Sequence, residues 1–223
     1  SRKKGNINIL KVDKDDNKTT IEGVEFDLLD STGKNIIKHV KTDKNGKAEI
    51  KNLDIGKYIL RETKTRKEYK IALEQNITIE WGKTLNLTIE NEKMKGKVKI
   101  TKISEDDNLI TGEVAGTPIA NVKFEIYDDS GKLVDTLITK ADGIAISKDL
   151  VVGKYIVKEK ETGEYYEINE NDFEVEITKN GEVVGLTISN KSKTPPPEKP
   201  KEETPKIEVP PIEPIKKLPV TGY

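Results

Sequence analysis

Residues 23–30 read GVEFDLLD and residues 121–128 read NVKFEIYD, and these two stretches decide the fold class. In the first stretch Val24, Phe26 and Leu28 alternate with acidic residues, and the second stretch repeats the alternation. A period of two is typical of a β-strand that turns one face to a core and the other to solvent. Both stretches lead into a glycine-containing turn, as in a hairpin.

Similar matches between the two halves extend over residues 5–190, so the chain contains two copies of one sequence repeat. Residues 5–11 (GNINILK) match 96–102 (GKVKITK), residues 56–62 (GKYILRE) match 153–159 (GKYIVKE), and residues 87–91 (LTIEN) match 186–190 (LTISN). Each copy has about seven short alternating runs separated by turn signals and no convincing helical pattern. We therefore predict an all-β chain of two tandem Ig-like antiparallel β-sandwiches, residues 1–94 and 95–192.

The composition excludes several classes of function. The 39 Lys and Arg balance 40 Asp and Glu, so there is no basic surface for nucleic acid. The chain has no Cys and one His, which excludes a thiol nucleophile, a Cys-rich zinc site and a multi-His metal centre. No apolar run is long enough to span a membrane. We expect no cofactor and no metal, and we interpret the acidic run at residues 13–17 as a solvated loop.

Three polar residues in each copy break the alternation, because each follows its apolar neighbours on what should be the inner face. In the first copy Lys11 follows Ile7 and Ile9, Glu62 follows Leu60, and Asn91 follows Ile89. The second copy repeats all three placements with Lys102, Glu159 and Asn190. A strand may simply end in a polar residue, but three such endings at matching places in both copies favour a chemical explanation.

A lysine, a glutamate and an asparagine buried together can form a covalent bond. Burial removes the charge of a lysine and favours the protonated form of a glutamate. A neutral amine can attack the carbon of a carboxamide while the acid carries the proton to the departing ammonia. We therefore expect isopeptide cross-links between Lys11 and Asn91 and between Lys102 and Asn190, with Glu62 and Glu159 as proton shuttles.

The ordered residues Lys, Glu and Asn also carry a resemblance to a known family. Both copies resemble the B-type repeat domains of collagen adhesins (Cna B-type, prealbumin-like and SpaA-like pilin domains), which build stalks and pilins on Gram-positive bacteria. The runs ending in Glu62 and Glu159 resemble the E-box of that family, and family membership implies spontaneous Lys–Asn bonds assisted by the E-box acid. Neither run continues into the usual Pro-x-Gly-Tyr, of which only Gly163 and Tyr165 match. The absence of a tyrosine-proline-lysine motif argues against a polymerising backbone pilin.

The C-terminal segment has a different composition from the two repeats. Nine of the ten prolines follow Lys191, interspersed with Lys and Glu. Such a segment is typical of a disordered, semi-rigid polyproline spacer, so we assign residues 193–223 to a cell-wall spacer. Its end, Leu218-Pro219-Val220-Thr221-Gly222, resembles the LPxTG signal cleaved by sortases, which implies transfer of Thr221 to a peptidoglycan amine. We expect a fragment, since no secretory signal precedes Ser1 and no apolar tail follows Tyr223.

Together these features predict a structural stalk of an adhesin that is secreted and anchored covalently to the cell wall of a Gram-positive bacterium. It is not an enzyme, apart from one self-cross-linking event per site, and sortase and peptidoglycan are its expected partners. Two alternatives remain open. One is a basal or minor pilin subunit that contacts other pilin subunits, and the other is direct binding of a host extracellular matrix ligand by one sandwich.

Overall fold

A computed structural model describes residues 2–200, 211, 212, 214 and 222, and their regular structure is entirely β. The first seven strands, which we call domain 1, are β1 (Lys4–Asp13), β2 (Glu25–Asp30), β3 (Ile36–Lys41), β4 (Lys47–Asp54), β5 (Gly56–Lys64), β6 (Gln75–Ile79) and β7 (Thr84–Asn91). Domain 2 follows with β8 (Lys95–Ser104), β9 (Lys123–Asp128), β10 (Leu133–Ile138), β11 (Ile144–Ile146), β12 (Leu150–Val151), β13 (Gly153–Glu161), β14 (Asp172–Ile177) and β15 (Val183–Asn190).

Each domain is a sandwich of two sheets. In domain 1 the strand orders are β4-β1-β7 and β3-β2-β5-β6. In domain 2 the first sheet has β8 at its centre, with β11 and β12 pairing along one edge and β15 along the other, and the second sheet has the order β10-β9-β13-β14. The prediction of an all-β chain with two tandem sandwiches is confirmed.

The first and last strands of each domain pair in parallel, which the sequence did not predict. Lys11 is opposite Ile89 and Asp13 is opposite Asn91, while Lys102 is opposite Ile188. Parallel pairing is possible because the rest of the domain, rather than a hairpin, connects the two strands. It brings the lysine and the asparagine to the same end and the same face of one sheet, two residues out of register.

Alternating residues of both sheets fill the core of each domain. In domain 1 the buried apolar side chains include Ile7, Ile9, Phe26, Leu28 and Leu60. In domain 2 the equivalent positions are Val98, Ile100, Phe124, Ile126 and Val157. The alternation that first pointed to strands is therefore the one that builds the core, and removing these side chains from water supplies the main driving force for folding.

The C-terminal segment is described only in part. Residues 193–200 contain neither helix nor strand and are exposed. The rest of the predicted spacer, apart from residues 211, 212, 214 and 222, lies outside the described residues, and this part includes Leu218, Pro219, Val220 and Thr221 of the predicted sorting signal. In the described part of the chain there is no helix that could cross a membrane.

Candidate cross-linking sites

Each domain places its lysine, glutamate and asparagine at one end of its core. We call Lys11, Glu62 and Asn91 the domain 1 triad, and Lys102, Glu159 and Asn190 the domain 2 triad. The lysine and the asparagine come from neighbouring strands of one sheet. The glutamate comes from the other sheet, where Glu62 is opposite Phe26 and Glu159 is opposite Phe124. Each triad therefore spans the two layers of its sandwich.

The side chains of both lysines are fully buried, at 0% exposure for Lys11 and Lys102. Lys11 Nζ lies 6.0 Å from the centre of the Phe26 ring, and Lys102 Nζ lies 5.8 Å from that of Phe124. Burial lowers the pKa of Lys11, although the negative charge of Glu62 opposes the shift. In the same way burial lowers the pKa of Lys102 to about 8, against the charge of Glu159. A neutral, nucleophilic amine is thus accessible near neutral pH.

The three side chains of the domain 2 triad contact one another. Lys102 Nζ donates to Asn190 Oδ1 and lies 3.2 Å from Glu159 Oε2. Asn190 Nδ2 donates to Glu159 Oε1 at 2.6 Å. The carboxyl group of Glu159 therefore bridges the amine and the amide nitrogen, one oxygen on each, which is the arrangement needed to move a proton between them.

The domain 1 triad is assembled less completely. Lys11 Nζ lies 3.0 Å from Glu62 Oε1, but neither atom makes a hydrogen bond to any described residue. Asn91 Oδ1 likewise has no hydrogen-bond partner within the described residues. The amine and the acid of domain 1 are therefore paired, while the carboxamide of Asn91 donates to Thr65.

A backbone amide of the following loop holds each glutamate. Glu62 Oε2 accepts from the N–H of Ala72 at 2.6 Å, and Glu159 Oε2 accepts from the N–H of Asn169 at 3.1 Å. Both donors lie ten residues after the glutamate, and in both domains the strand register shifts just after the glutamate. Such bulges re-aim a side chain and often occur beside functional sites. Sequence reasoning missed these amides, since no side chain marks them.

A turn glycine holds the backbone of each lysine. The N–H of Lys11 donates to the carbonyl of Gly46, and that of Lys102 donates to the carbonyl of Gly143. Both glycines have positive φ, of 71° and 73°. A Cβ at Gly46 would lie 2.7 Å from the Lys11 carbonyl oxygen, and one at Gly143 would lie 2.4 Å from that of Lys102. Only glycine permits this approach, so the two turns fix where the lysine strands run.

The loop after each glutamate is anchored by a tyrosine. Tyr69 is buried and donates through its hydroxyl to Asp13 Oδ2 at 2.7 Å. The interpretation of Asp13 as part of a solvated loop was wrong, because this carboxylate is buried and also pairs with Lys93 at 3.2 Å. In domain 2 the buried tyrosine of this loop is Tyr166, at 5% exposure. Tyr165, the tyrosine that matched the Pro-x-Gly-Tyr pattern, is 43% exposed.

Among the described residues there is no cluster of three or more His, Asp or Glu side chains that could hold a metal ion. An open cavity with a volume of about 790 Å³ lies in domain 2. It is lined by the loop that follows Glu159 and by β15, including Asn190. Asn190 of the domain 2 triad therefore lies at the wall of this cavity.

Comparison with known proteins places the fold in a family. A family model described as the SpaA prealbumin-like fold domain matches the chain twice, over residues 5–93 and 96–192. The trypsin-resistant surface T6 protein of Streptococcus pyogenes serotype M6 is 33% identical over 81 residues, which are 36% of this chain and 15% of that protein. The collagen adhesin of Staphylococcus aureus is 34% identical over 99 residues, which are 38% of this chain and 8% of the adhesin.

A solved structure is similar over most of the chain. The structure of the Bacillus anthracis TIE protein superposes with a TM-score of 0.72 at 34% identity, covering 84% of this chain and 34% of that one. The present chain thus spans about a third or less of each of these relatives. All three come from Gram-positive bacteria, and two of them are named as surface or adhesive proteins.

Proposed function

The chain belongs to the SpaA family of prealbumin-like fold domains, and from this premise we propose that it is the structural stalk of a Gram-positive surface protein, in which each domain is closed by a Lys–Asn isopeptide bond. The observation that carries the proposal is the domain 2 triad. There a buried amine with a lowered pKa contacts the carboxamide of Asn190, and Glu159 bridges the two nitrogens.

The bond forms by attack of the amine on the carboxamide carbon. Lys102 Nζ, once neutral, attacks Cγ of Asn190, and Glu159 accepts a proton from Nζ and delivers one to Nδ2. The Cγ–Nδ2 bond then breaks and Nδ2 leaves as ammonia, so the amine and the carboxamide become one amide plus NH3. The fold contributes the contact between the reacting groups, which raises their effective concentration. We assign the same steps to Lys11, Glu62 and Asn91.

The two bonds explain how a chain with few apolar residues can serve as a tether. Each bond joins the first strand of a domain to its last strand, so tension passes through the bond and bypasses the strands between. By analogy with disulfides, closing a loop of this length stabilises a domain by about 4–5 kcal/mol. A once-only reaction at each site makes this a structural protein and not an enzyme with turnover.

We further propose the domain limits 1–94, 95–192 and 193–223, with the last segment as a wall-spanning spacer. Sortase would cleave between Thr221 and Gly222 of the LPVTG motif and join Thr221 to peptidoglycan. Incubation with a sortase and a labelled glycine peptide should label the chain, and Thr221→Ala should abolish the label. Labelling of the Thr221→Ala chain to the same extent would contradict this assignment.

The name of the staphylococcal relative favours a second candidate, direct binding of a matrix protein by one sandwich. Binding of residues 1–192 to immobilised collagen would support it. A basal or minor pilin role would use the same two cross-linked domains, and the upstream sequence and neighbouring genes distinguish it from an adhesin stalk.

The intact mass of the unfolded chain tests the cross-links. Loss of ammonia removes about 17 Da per bond, so the wild-type chain should weigh roughly 34 Da less than its sequence mass. Lys11→Ala and Lys102→Ala should each show only one loss of ammonia. Lys99→Ala, on the outward face of β8, is the matched control and should show both losses. A wild-type chain of full sequence mass would refute the proposal.

A further inference from the structure

A threonine hydroxyl contacts the reactive carboxamide in both domains. Asn91 Nδ2 donates to Thr65 Oγ1 at 2.6 Å, and Asn190 Nδ2 donates to Thr162 Oγ1 at 2.8 Å. Each threonine lies three residues after the glutamate of its triad, just beyond the end of β5 or β13. Both are half-buried. The contact is thus built twice, in two domains whose loops otherwise differ.

This contact holds the nitrogen end of the carboxamide, on the side away from the lysine. A carboxamide has a donating nitrogen and an accepting oxygen, and the amine can attack productively only when it approaches the carbonyl group. With Nδ2 held by the hydroxyl of Thr162, the opposite end, Oδ1, faces Lys102 Nζ and accepts from it. Turning the group over would bring Oδ1 towards Glu159 Oε1, another acceptor, and Nδ2 towards Lys102 Nζ, another donor.

The two threonines differ in whether another group also accepts a hydrogen bond from the asparagine nitrogen. In domain 2 Asn190 Nδ2 has a second acceptor, Glu159 Oε1, so Thr162 and Glu159 hold this nitrogen together. In domain 1 Asn91 Nδ2 makes its hydrogen bond to Thr65, and Asn91 Oδ1 has no partner among the described side chains and backbone. Thr65 is therefore the side-chain partner that holds the domain 1 carboxamide in the described part of the chain.

We propose that Thr65 and Thr162 are positioning residues for isopeptide formation, each holding the leaving nitrogen of its asparagine so that the carbonyl group faces the lysine. This inference rests on the proposed cross-linking function. The hydroxyl group forms no bond and supplies no net proton, and it loses its donor when ammonia departs. Thr162 and Asn190 also line the open cavity of domain 2.

The test measures the rate of ammonia loss after folding. The full chain is produced unfolded in inclusion bodies, dissolved in denaturant, folded by dilution and weighed intact at intervals. The Lys102→Ala background reports on domain 1 alone and the Lys11→Ala background on domain 2 alone. Valine, which keeps the shape of threonine without the hydroxyl group, should slow domain 1 about tenfold at Thr65 and domain 2 about threefold at Thr162. Serine should restore rates to within about twofold of threonine, since it keeps the hydroxyl group.

Neighbouring threonines that do not contact the carboxamide serve as matched controls. Thr63→Val in domain 1 and Thr178→Val in domain 2 should leave both rates unchanged, since these hydroxyls contact Glu25 and Glu182 instead. Melting temperatures of Lys11→Ala chains with and without Thr65→Val separate positioning from folding, because these chains cannot form the domain 1 bond.

The outcomes distinguish this inference from the proposal on which it rests. If the wild-type chain keeps its full mass, cross-linking itself is refuted. If the wild-type chain loses ammonia and Thr65→Val loses it equally fast, the positioning role alone is overturned. If Thr65→Val lowers the melting temperature so far that the chain is unfolded, the Thr65→Ser chain becomes the test. A rate near that of the threonine chain then supports the positioning role, and a tenfold slower rate overturns it.

Discussion

The two triads contain the same three residue types at the same places in two copies of one fold, yet they are assembled differently. In domain 2 the amine contacts the carboxamide, and the acid contacts both nitrogens. In domain 1 the amine pairs with the acid, while the carbonyl oxygen of Asn91 lacks a partner in the described part of the chain. Domain 2 is thus close to the geometry that the proposed cross-link requires, whereas the carboxamide of domain 1 would still have to turn or approach.

This difference separates a chemical requirement of the proposed cross-linking reaction from a geometric one, which a single site could not do. Burial lowers the pKa of the lysine and an acidic neighbour can carry the proton, and both triads meet this chemical requirement. Contact between the nucleophile and its target is a geometric requirement, and one triad meets it more fully. The chemistry of the two sites should therefore respond alike to changes in the acid and in pH, and differ in rate.

Removal of the acid should have the largest effect and should affect both domains. Glu159→Gln in the Lys11→Ala chain, and Glu62→Gln in the Lys102→Ala chain, should each slow ammonia loss by about 10²–10⁴-fold, because a carboxamide cannot accept and return the proton. Intact mass after folding by dilution measures both rates. Glu161→Gln, on the same strand but facing solvent, is the control for Glu159→Gln. A large loss in one domain only would show that the triads do not share a mechanism.

Acidification should have the next largest effect. The pKa of Lys102, about 8, lies below the 10.5 of a free lysine. The protonated ammonium has no free electron pair, so the reaction in domain 2 should accelerate about fifty-fold from pH 6 to pH 8 and level off above that. Domain 1 should also accelerate with pH, because burial lowers the pKa of Lys11 in the same direction.

Folding itself must be faster than the reaction at each pH for this measurement to report on the amine. The far-UV circular dichroism of the Lys11→Ala and Lys102→Ala chains, recorded under the same dilutions, supplies that control. A rate that is constant between pH 6 and pH 8, or that rises only above pH 10, would contradict a lowered lysine pKa.

The difference in assembly predicts a difference in rate of about tenfold, with domain 2 the faster, because its amine and carboxamide already touch. The Lys11→Ala and Lys102→Ala chains, folded side by side and weighed at intervals, give the two rates directly. Equal rates, or a faster domain 1, would show that the carboxamide of Asn91 reorients too quickly to matter.

Much of this arrangement could be predicted from the sequence, because alternation of side chains is a local property. The run from Ile7 to Lys11 already indicates that a charged residue follows two core residues on one face. The duplication strengthened that inference, since an accidental strand ending would not recur in both copies. The alternation of side chains and the duplication are sufficient to predict the fold class and the inward direction of each triad member.

What the sequence could not provide was contact between segments far apart along the chain. The amides of Ala72 and Asn169 that hold the glutamates carry no side-chain signal, and the parallel pairing of first and last strands follows from packing. The threonines are the exception. Thr65 and Thr162 occupy matching places three residues after each glutamate, so a comparison of the two copies for shared hydroxyl residues would have found them.

The smallest predicted effect concerns the tyrosines that anchor the two loops. Burial and the hydrogen bond to Asp13 raise the pKa of Tyr69, so its hydroxyl stays protonated and bonded to a buried carboxylate. Tyr166 donates instead to Glu113, which is exposed. Hydrogen bonds to charged groups contribute more when water cannot replace the partner. Tyr69→Phe should therefore lower the free energy of unfolding of domain 1 by about 1–2 kcal/mol, and Tyr166→Phe should lower that of domain 2 by less than about 1 kcal/mol.

Urea unfolding should be followed in chains where the domain concerned cannot cross-link, with Tyr69→Phe in Lys11→Ala and Tyr166→Phe in Lys102→Ala. The remaining bond keeps the other domain folded to higher urea, so the first transition belongs to the domain under test. Equal losses in the two domains would mean that the burial of Asp13 adds nothing to its bond with Tyr69. The two loops would then be held alike, and the slower reaction expected of domain 1 would have to arise from the orientation of Asn91 alone.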